Sequence, residues 1–119
     1  MKPALRGPAP GGGWQPPASF AIHDEGGGVL RVVGELDVAT APELQARLSA
    51  HRGPAILDLR EVTFIDSTGL RALVGATQAR SRPESLVLRA PSPAVRRLIE
   101  LAALTEQLAI EPEAPDEPA

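Results

Sequence analysis

The segment Asp66-Ser67-Thr68-Gly69-Leu70 places a carboxylate and two hydroxyls where a loop enters a helical pattern. The first amides of a helix point outward, and the helix dipole favours negative charge there. A hydroxyl at Ser67 is therefore well placed to receive a phosphate, because those amides can donate hydrogen bonds to its oxygens. Asp66 beside a phosphate would raise the local negative potential and repel an acidic partner. This chemistry is that of a phosphorylation switch on binding.

The same residues also have a purely structural interpretation. Asp66 or Ser67 can serve only as a helix N-cap, and Gly69 can be an incidental small residue. A glycine in the first turn costs about 1 kcal/mol of helix stability relative to alanine. Close approach by another backbone is one physical reason to keep it. Local chemistry alone leaves both interpretations open.

An enzyme is a poor match to the available side chains. A serine hydrolase needs a general base near Ser67, and the only histidines are His23, in the first expected strand, and His51, at the end of the first expected helix. Ile65 also stands where the G-x-S-x-G pattern requires glycine. Two histidines without any cysteine are too few for a metal site. We therefore predict no enzyme, no metal and no cofactor.

The elements before the segment are expected to be a hairpin, a helix and a strand. Apolar residues alternate from Phe20 and return over 29–33, which predicts two strands joined by the Gly-rich turn 24–28. Thr40 and Glu43 have the spacing of a capping box, which predicts a first helix over 41–52. The apolar run 55–59 predicts a short strand, central in the sheet.

The elements after the segment complete an α/β pattern. A second helix is expected to begin at Asp66 or Ser67 and to end before Pro83, followed by a strand over 85–89. Ser92 and Pro93 predict the start of a third helix, and residues 108–110 can add a last strand. The order β-β-α-β-α-β-α-β predicts a mixed sheet of four to five strands with about three helices.

The composition fits one domain between two irregular segments. A chain of 119 residues supports a single core. Eight of its 13 prolines lie in residues 1–17 or 112–119. We therefore expect a disordered Pro/Gly-rich segment over 1–17, a domain over 18–111 and an acidic, proline-rich tail over 112–119.

The charge balance argues against nucleic acid as a partner. The formal net charge is -3, and only 3% of the residues are aromatic, whereas nucleic-acid binding calls for a basic face or stacking aromatics. No apolar run approaches the roughly 20 residues that span a bilayer, and residues 1–17 lack the apolar core of a signal peptide. We expect a cytoplasmic protein without membrane insertion.

Five sequence blocks, in order, resemble those of the STAS domain and specifically of anti-sigma factor antagonists. The blocks are Gly34-Glu35-Leu36-Asp37, Thr40-Ala41-Pro42, Leu57-Asp58-Leu59, Phe64-Ile65-Asp66-Ser67-Thr68-Gly69-Leu70 and Ser92-Pro93-Ala94-Val95-Arg96-Arg97. The resemblance covers about residues 18–111 and implies the STAS fold.

The resemblance implies a function in partner switching. In such proteins the serine after the aspartate, here Ser67, is phosphorylated by an anti-sigma factor that is also a serine kinase. The unphosphorylated form binds that anti-sigma factor and frees the sigma factor. Phosphorylation ends the binding until a metal-dependent phosphatase of the PP2C type resets the protein.

The resemblance also implies a partner surface around the serine. It consists of Glu35, Asp37, Thr40, Asp66, Ser67, Thr68 and Gly69. From physics alone, Asp37 can equally be a turn-forming acid near a helix start.

A few positions depart from the pattern of the family. Thr68 replaces a second serine and offers another hydroxyl for modification. Arg82-Pro83-Glu84 stands where a glycine-containing turn is usual, and Ala103 stands where a glycine often precedes the leucine. Residues 111–119 replace a C-terminal helix that many members carry. These differences concern turn geometry more than function.

Two other functions occur on the same fold. Single-domain STAS proteins also serve as accessory subunits of ABC-type lipid transporters or as scaffold components of stress-signalling complexes. The sequence does not separate these decisively from antagonism, although the complete Asp-Ser-Thr-Gly-Leu block favours a phosphorylated switch.

Overall fold

Strands and helices alternate along residues 20–111, the part of the chain that this computed structural model describes. In chain order they are β1 (Ala21–Gly26), β2 (Val29–Leu36), α1 (Ala41–Ala50), β3 (Ala55–Ile65), α2 (Ser67–Gln78), β4 (Leu86–Arg89), α3 (Pro93–Leu101) and β5 (Ala109–Ile110). Short 3-10 turns cover Pro83–Ser85 and Thr105–Gln107. The predicted order and the α/β fold class are confirmed. The expected segments 1–17 and 112–119 lie outside the described residues.

The sheet is mixed and has five strands in the order β1-β2-β3-β4-β5. β1 and β2 form the expected antiparallel hairpin, with Ala21 opposite Val33. The other neighbours pair in parallel, so β2, β3, β4 and β5 all end at the same edge of the sheet. β3 lies in the middle, as predicted. This edge, where the parallel strands end, is the place where α/β folds carry functional groups.

All three helices pack on one face of the sheet. The strands contribute alternate side chains to a single buried cluster, namely Leu30, Val32, Leu57, Leu59, Leu86 and Leu88. The helices contribute Leu44, Leu48, Leu70, Leu73, Val95 and Ile99 to the same cluster. Burying one such side chain contributes roughly 1.5–3 kcal/mol, so this cluster holds the fold together.

The opposite face of the sheet carries half-exposed and charged side chains. Arg31 pairs there with Glu25 at 2.9 Å and with Glu61 at 3.2 Å. The hydrogen bond to Glu25 is the main cause that raises the pKa of Arg31 above its ordinary value. All three side chains are partly exposed, so these ion pairs contribute little to stability.

Strand β3 extends to Ile65, whereas the sequence predicted a strand that ends at Leu59. The buried positions Leu57 and Leu59 are two residues apart, but the next ones, Val62 and Ile65, follow at intervals of three. The pairing with β2 shifts at both places, which is the mark of a β-bulge. The predicted length was wrong because each bulge inserts a residue and interrupts the alternation.

The helix ends differ slightly from the predictions. α1 ends at Ala50, two residues before the predicted end. α3 ends in a Schellman motif, in which Leu104 N–H donates to the Ile99 carbonyl and Ala103 N–H to the Glu100 carbonyl, both at 3.0 Å. Ala103 has a φ of 59°, the left-handed conformation that glycine adopts at lower cost. The turn geometry is therefore kept although alanine occupies the position.

Candidate functional site

The candidate site lies where β2 and β3 end side by side. The Asp66 N–H, just after β3, donates to the carbonyl oxygen of Leu36, the last residue of β2, at 3.3 Å. This hydrogen bond ties the start of α2 to the loop 37–40 that leads from β2 into α1. The two segments singled out from the sequence are therefore neighbours in the fold.

Asp66 is the N-cap of α2. Its backbone is extended, with φ -117° and ψ -173°, and its Oδ1 accepts a hydrogen bond from Gly69 N–H at 3.0 Å. Its carbonyl accepts the first helical hydrogen bond, from Leu70 N–H, at 2.9 Å. Of the two predicted capping candidates, the carboxylate is the one that caps the helix.

Gly69 is required by a close approach between two backbones. A Cβ atom at this position would collide with the Leu36 carbonyl oxygen and would lie 3.0 Å from Cγ1 of Ile65. The residue is buried in the first turn of α2. The close approach proposed from the sequence is therefore the reason for the glycine, and it fixes how closely the helix start and the loop pack.

Ser67 and Thr68 differ in their access to solvent. Ser67 is the first residue of α2 and is exposed, whereas Thr68 is half-buried. The first-turn amides of a helix lack intrahelical partners, so they can receive the oxygens of an anion bound at Ser67. Ser67 is therefore the more accessible of the two hydroxyls.

Gly34, near the end of β2, lies opposite one of the bulges of β3. Gly34 has a φ of +107°, a conformation that side-chain-bearing residues rarely adopt, and the pairing with β3 shifts between Gly34 and Glu35. Beyond this bulge Glu35 is exposed and lies opposite Phe64 of β3. The bulge therefore brings Glu35 and Phe64 into register at the ends of the two strands.

The loop itself is held by Asp37 and Thr40. The Thr40 hydroxyl donates to the Glu35 carbonyl at 2.7 Å and accepts from Asp37 N–H at 2.9 Å. Asp37 Oδ1 accepts from Ala39 N–H at 3.0 Å and from Thr40 N–H at 3.2 Å. Both side chains shape the loop, which supports the turn-forming interpretation of Asp37.

The predicted capping box at α1 is wrong. Thr40 is the N-cap by position, but its side chain makes no capping hydrogen bond. Its hydroxyl is already used by Glu35 and Asp37, so it does not reach the Glu43 amide. The spacing of Thr40 and Glu43 was correct for the motif, but the loop competes for the same hydroxyl.

Two exposed apolar side chains beside the site were missed from the sequence. Val38, in the loop, is 69% exposed, and Phe64, near the end of β3, is 47% exposed. Glu35, Val38, Phe64, Asp66 and Ser67 lie at or just beyond the ends of β2 and β3, and we call these residues together the site face. The sequence did contain a signal for Val38, which is a large apolar residue between turn residues. It contained none for Phe64, because its orientation depends on the bulges in β3.

The described part of the chain offers no cluster of metal ligands at the site face or elsewhere. Within residues 20–111, no three His, Asp or Glu side chains lie closely enough together to bind a metal ion. In the same range, no helix has the length and apolar character needed to cross a membrane. What the site offers chemically is an exposed hydroxyl at a helix start, beside acidic and apolar side chains.

The fold and the site together define a small α/β domain that presents a serine at the edge of its sheet. A family model described as "Mlab, STAS domain" matches residues 20–111, nearly all of the predicted domain. The chain belongs to the STAS domain family and, within it, to the anti-sigma factor antagonists.

Curated relatives carry the same antagonist name. The chain is 38% identical over 84 residues to the "Anti-sigma-B factor antagonist" of Listeria monocytogenes, covering 66% of this chain and 74% of the relative. It is 35% identical over 82 residues to the protein of that name from Staphylococcus aureus, covering 65% of this chain and 76% of the relative.

Solved structures agree in fold. An anti-sigma factor antagonist from Mycobacterium paratuberculosis superimposes with a TM-score of 0.67 at 30% identity, covering 82% of this chain and 88% of that one. The unphosphorylated form of the antagonist SpoIIAA superimposes with a TM-score of 0.57 at 24% identity, covering 80% and 90% of the two chains. The second likeness concerns the fold alone.

Proposed function

We propose that this protein binds an anti-sigma factor through the site face and that phosphorylation of Ser67 ends the binding. The proposed partner is an anti-sigma factor that is also a serine kinase, and a PP2C-type phosphatase restores the unphosphorylated form. Binding releases the sigma factor that the partner holds. The protein itself acts as a regulatory binding protein and not as an enzyme.

The observation that carries this proposal is that Asp66, and not Ser67, caps the helix. The carboxylate of Asp66 caps α2, so the hydroxyl of Ser67 is not needed for capping and is exposed at the helix start. A serine that capped the helix itself would have its oxygen engaged by a backbone amide. Ser67 is therefore accessible to a kinase without any unfolding.

The proposed modification is a phosphoryl transfer from ATP. Ser67 Oγ forms a bond to the γ-phosphorus, the bond from that phosphorus to the β,γ-bridging oxygen breaks, and ADP leaves. The serine proton goes to a base of the kinase. The phosphate adds a charge of about -1.5 to -2 to a surface that already carries Glu35 and Asp66. This charge disfavours an acidic or apolar partner surface.

The experiment is phosphorylation by candidate anti-sigma kinases with ATP, followed by mapping of the phosphate by mass spectrometry. We expect label on Ser67, its loss in Ser67→Ala, and its retention in Thr68→Val. Ser92→Ala is the matched control, because Ser92 also begins a helix but is buried. Label on Thr68, or none on Ser67, contradicts the proposal.

Binding supplies the second measurement. We expect Ser67→Asp to weaken binding of the partner at least about tenfold, or ~1.4 kcal/mol. Equal binding by Ser67→Asp and the unchanged protein would argue against the switch.

The transporter and scaffold functions remain the alternatives to test, and the family match itself bears the name Mlab. An accessory subunit of a transporter would co-purify with an ATPase or permease regardless of ATP-driven modification. A scaffold component would be recovered in a large complex. Either result, with no kinase binding, would favour those functions over antagonism.

A further inference from the structure

Residues 1–19 are attached to the sheet beside the site face. β1 begins at Ala21, which pairs with Val33, two residues before Glu35 on β2. Because β1 runs antiparallel to β2, β1 begins at the edge of the sheet where the parallel strands end. Glu35 in turn lies opposite Phe64 on β3. The start of β1 therefore lies one strand away from Glu35 and two strands away from Phe64.

The charges of this segment complement those of the site face. Residues 1–19 contain Lys2 and Arg6 and no acidic residue. The site face carries Glu35 and Asp66, with Asp37 in the adjoining loop. By contrast, residues 112–119 contain three acidic residues and no basic residue. Of the two segments, only the N-terminal one has the sign of charge that the site face attracts.

The segment also offers an apolar group that matches the exposed apolar residues. Trp14 is the only tryptophan of the chain, and Val38 and Phe64 are exposed by 69% and 47%. β1 and β3 are two strand spacings apart, or roughly 10 Å. Five residues, 15–19, separate Trp14 from Phe20, and five extended residues span about 16–18 Å. Trp14 is therefore within reach of Phe64.

We propose that residues 1–19 dock on the site face of the same molecule, with Trp14 against Val38 and Phe64 and with Lys2 and Arg6 near the acidic side chains. Five prolines in this segment lower the conformational entropy that docking must remove. The docked segment competes with a binding partner, a consequence that rests on the proposed function of this face. Phosphate at Ser67 adds negative charge and strengthens the docking.

The test uses the fluorescence of Trp14 in the full chain, which contains no tyrosine. We expect acrylamide to quench Trp14 less efficiently in the folded protein than in urea. Val38→Ser together with Phe64→Ser should raise the quenching constant roughly twofold if about half of the molecules are docked. Leu101→Ser is the matched control, because Leu101 is 72% exposed at the end of α3.

Charge variants test the electrostatic part. Lys2→Glu with Arg6→Glu, or added salt, should raise the quenching, and Ser67→Asp should lower it. Equal quenching in the folded protein and in urea would overturn the proposal. Protection of Trp14 that depends on protein concentration would also overturn it, because it indicates a second copy of the chain. The same holds if Glu113→Gln, Asp116→Asn and Glu117→Gln together remove the protection, because that indicates pairing of the two terminal segments.

The fluorescence needs no partner, so its outcome is independent of whether the proposed function holds. If a kinase partner is found, Lys2→Glu with Arg6→Glu should tighten its binding about twofold, because the competing docked state is removed. If the variants leave the quenching of Trp14 unchanged while the partner still binds, the docking proposal is wrong and the proposed function is unaffected.

Discussion

The starts of α2 and α3 are capped by different residues. Both helices follow a strand of the parallel part of the sheet and both have a serine in or next to the cap. At α3 the serine caps the helix: Ser92 Oγ accepts from Val95 N–H at 3.3 Å, and the residue is 6% exposed. At α2 Asp66 caps the helix, and Ser67 is exposed.

The difference shows how a structural position becomes available for modification. A hydroxyl that satisfies a helix amide is held in place, whereas a neighbouring carboxylate that does the capping leaves the serine free. α1 gives a third case, since the Thr40 hydroxyl is used by the loop. Among these three hydroxyls at helix starts, Ser67 alone is exposed.

Among the substitutions at the helix starts, Gly69→Ala should lower the free energy of unfolding most. The new Cβ would meet the Leu36 carbonyl oxygen, which is backbone and cannot move away cheaply. We expect a loss of about 1–3 kcal/mol in the free energy of unfolding, measured with urea. Gly75→Ala is the control on the same helix, because nothing lies within 4 Å of its added Cβ. It should stabilise by up to about 1 kcal/mol, and a similar loss at both positions would contradict the backbone contact.

Alanine substitutions at Ser92 and Ser67 should have different effects on the free energy of unfolding. Ser92→Ala removes a buried cap and should lower the free energy of unfolding by about 1 kcal/mol. Ser67→Ala removes an exposed hydroxyl that caps nothing and should change stability by less than about 0.5 kcal/mol. Urea unfolding of both variants checks this. Equal losses would mean that Ser67 also supports the helix start.

The sequence predicted those features of the site that depend on neighbouring residues. The Ser92 cap follows from the short Ser92-Pro93 motif. The close approach at Gly69 follows because a glycine in the first turn of a helix costs stability unless another backbone lies against it. The capping box at Thr40 failed because a residue five positions earlier, Glu35, takes its hydroxyl. Local spacing does not reveal such competition.

The missed features depend on contacts between strands. The bulges in β3 arise from its pairing with β2, and they determine that Phe64 is exposed while Ile65 is buried. No period in the sequence marks them, since the buried positions change from intervals of two to intervals of three. The exposure of Val38 likewise depends on how Asp37 and Thr40 close the loop.

A smaller effect is expected at the end of α3, where the chain departs from the pattern of its family. Ala103 adopts a φ of 59°, so Ala103→Gly should relieve strain and stabilise by about 0.5 kcal/mol after the larger chain entropy of glycine is included. Ala102→Gly is the control, because Ala102 has a φ of -85° and gains nothing. Thermal unfolding compares the two, and a stabilisation by both or by neither would contradict the strain.

The starts of α2 and α3 also differ in the arginine that follows each serine. Each serine is followed four residues later by an arginine, and a helical side chain leans back toward the residue four positions before it. Arg96 donates to the Pro91 carbonyl at 3.4 Å, whereas Arg71 is exposed. Arg71, four residues after Ser67, is the basic residue nearest in sequence to a phosphate on Ser67.

A nearby cation favours the dianion, so it lowers the second pKa of phosphoserine from its ordinary value near 6. Removing it in Arg71→Gln should raise that pKa by about 0.2–0.4, the equivalent of an exposed helix pair of about 0.3–0.5 kcal/mol. Titration of the phosphorylated protein by phosphorus NMR measures the change, with Arg97→Gln as the control on α3. The difference in this pKa between the unchanged protein and Arg71→Gln should shrink in 1 M salt, where the screening length is about 3 Å. An unchanged pKa in Arg71→Gln would show that the helix amides alone receive the phosphate.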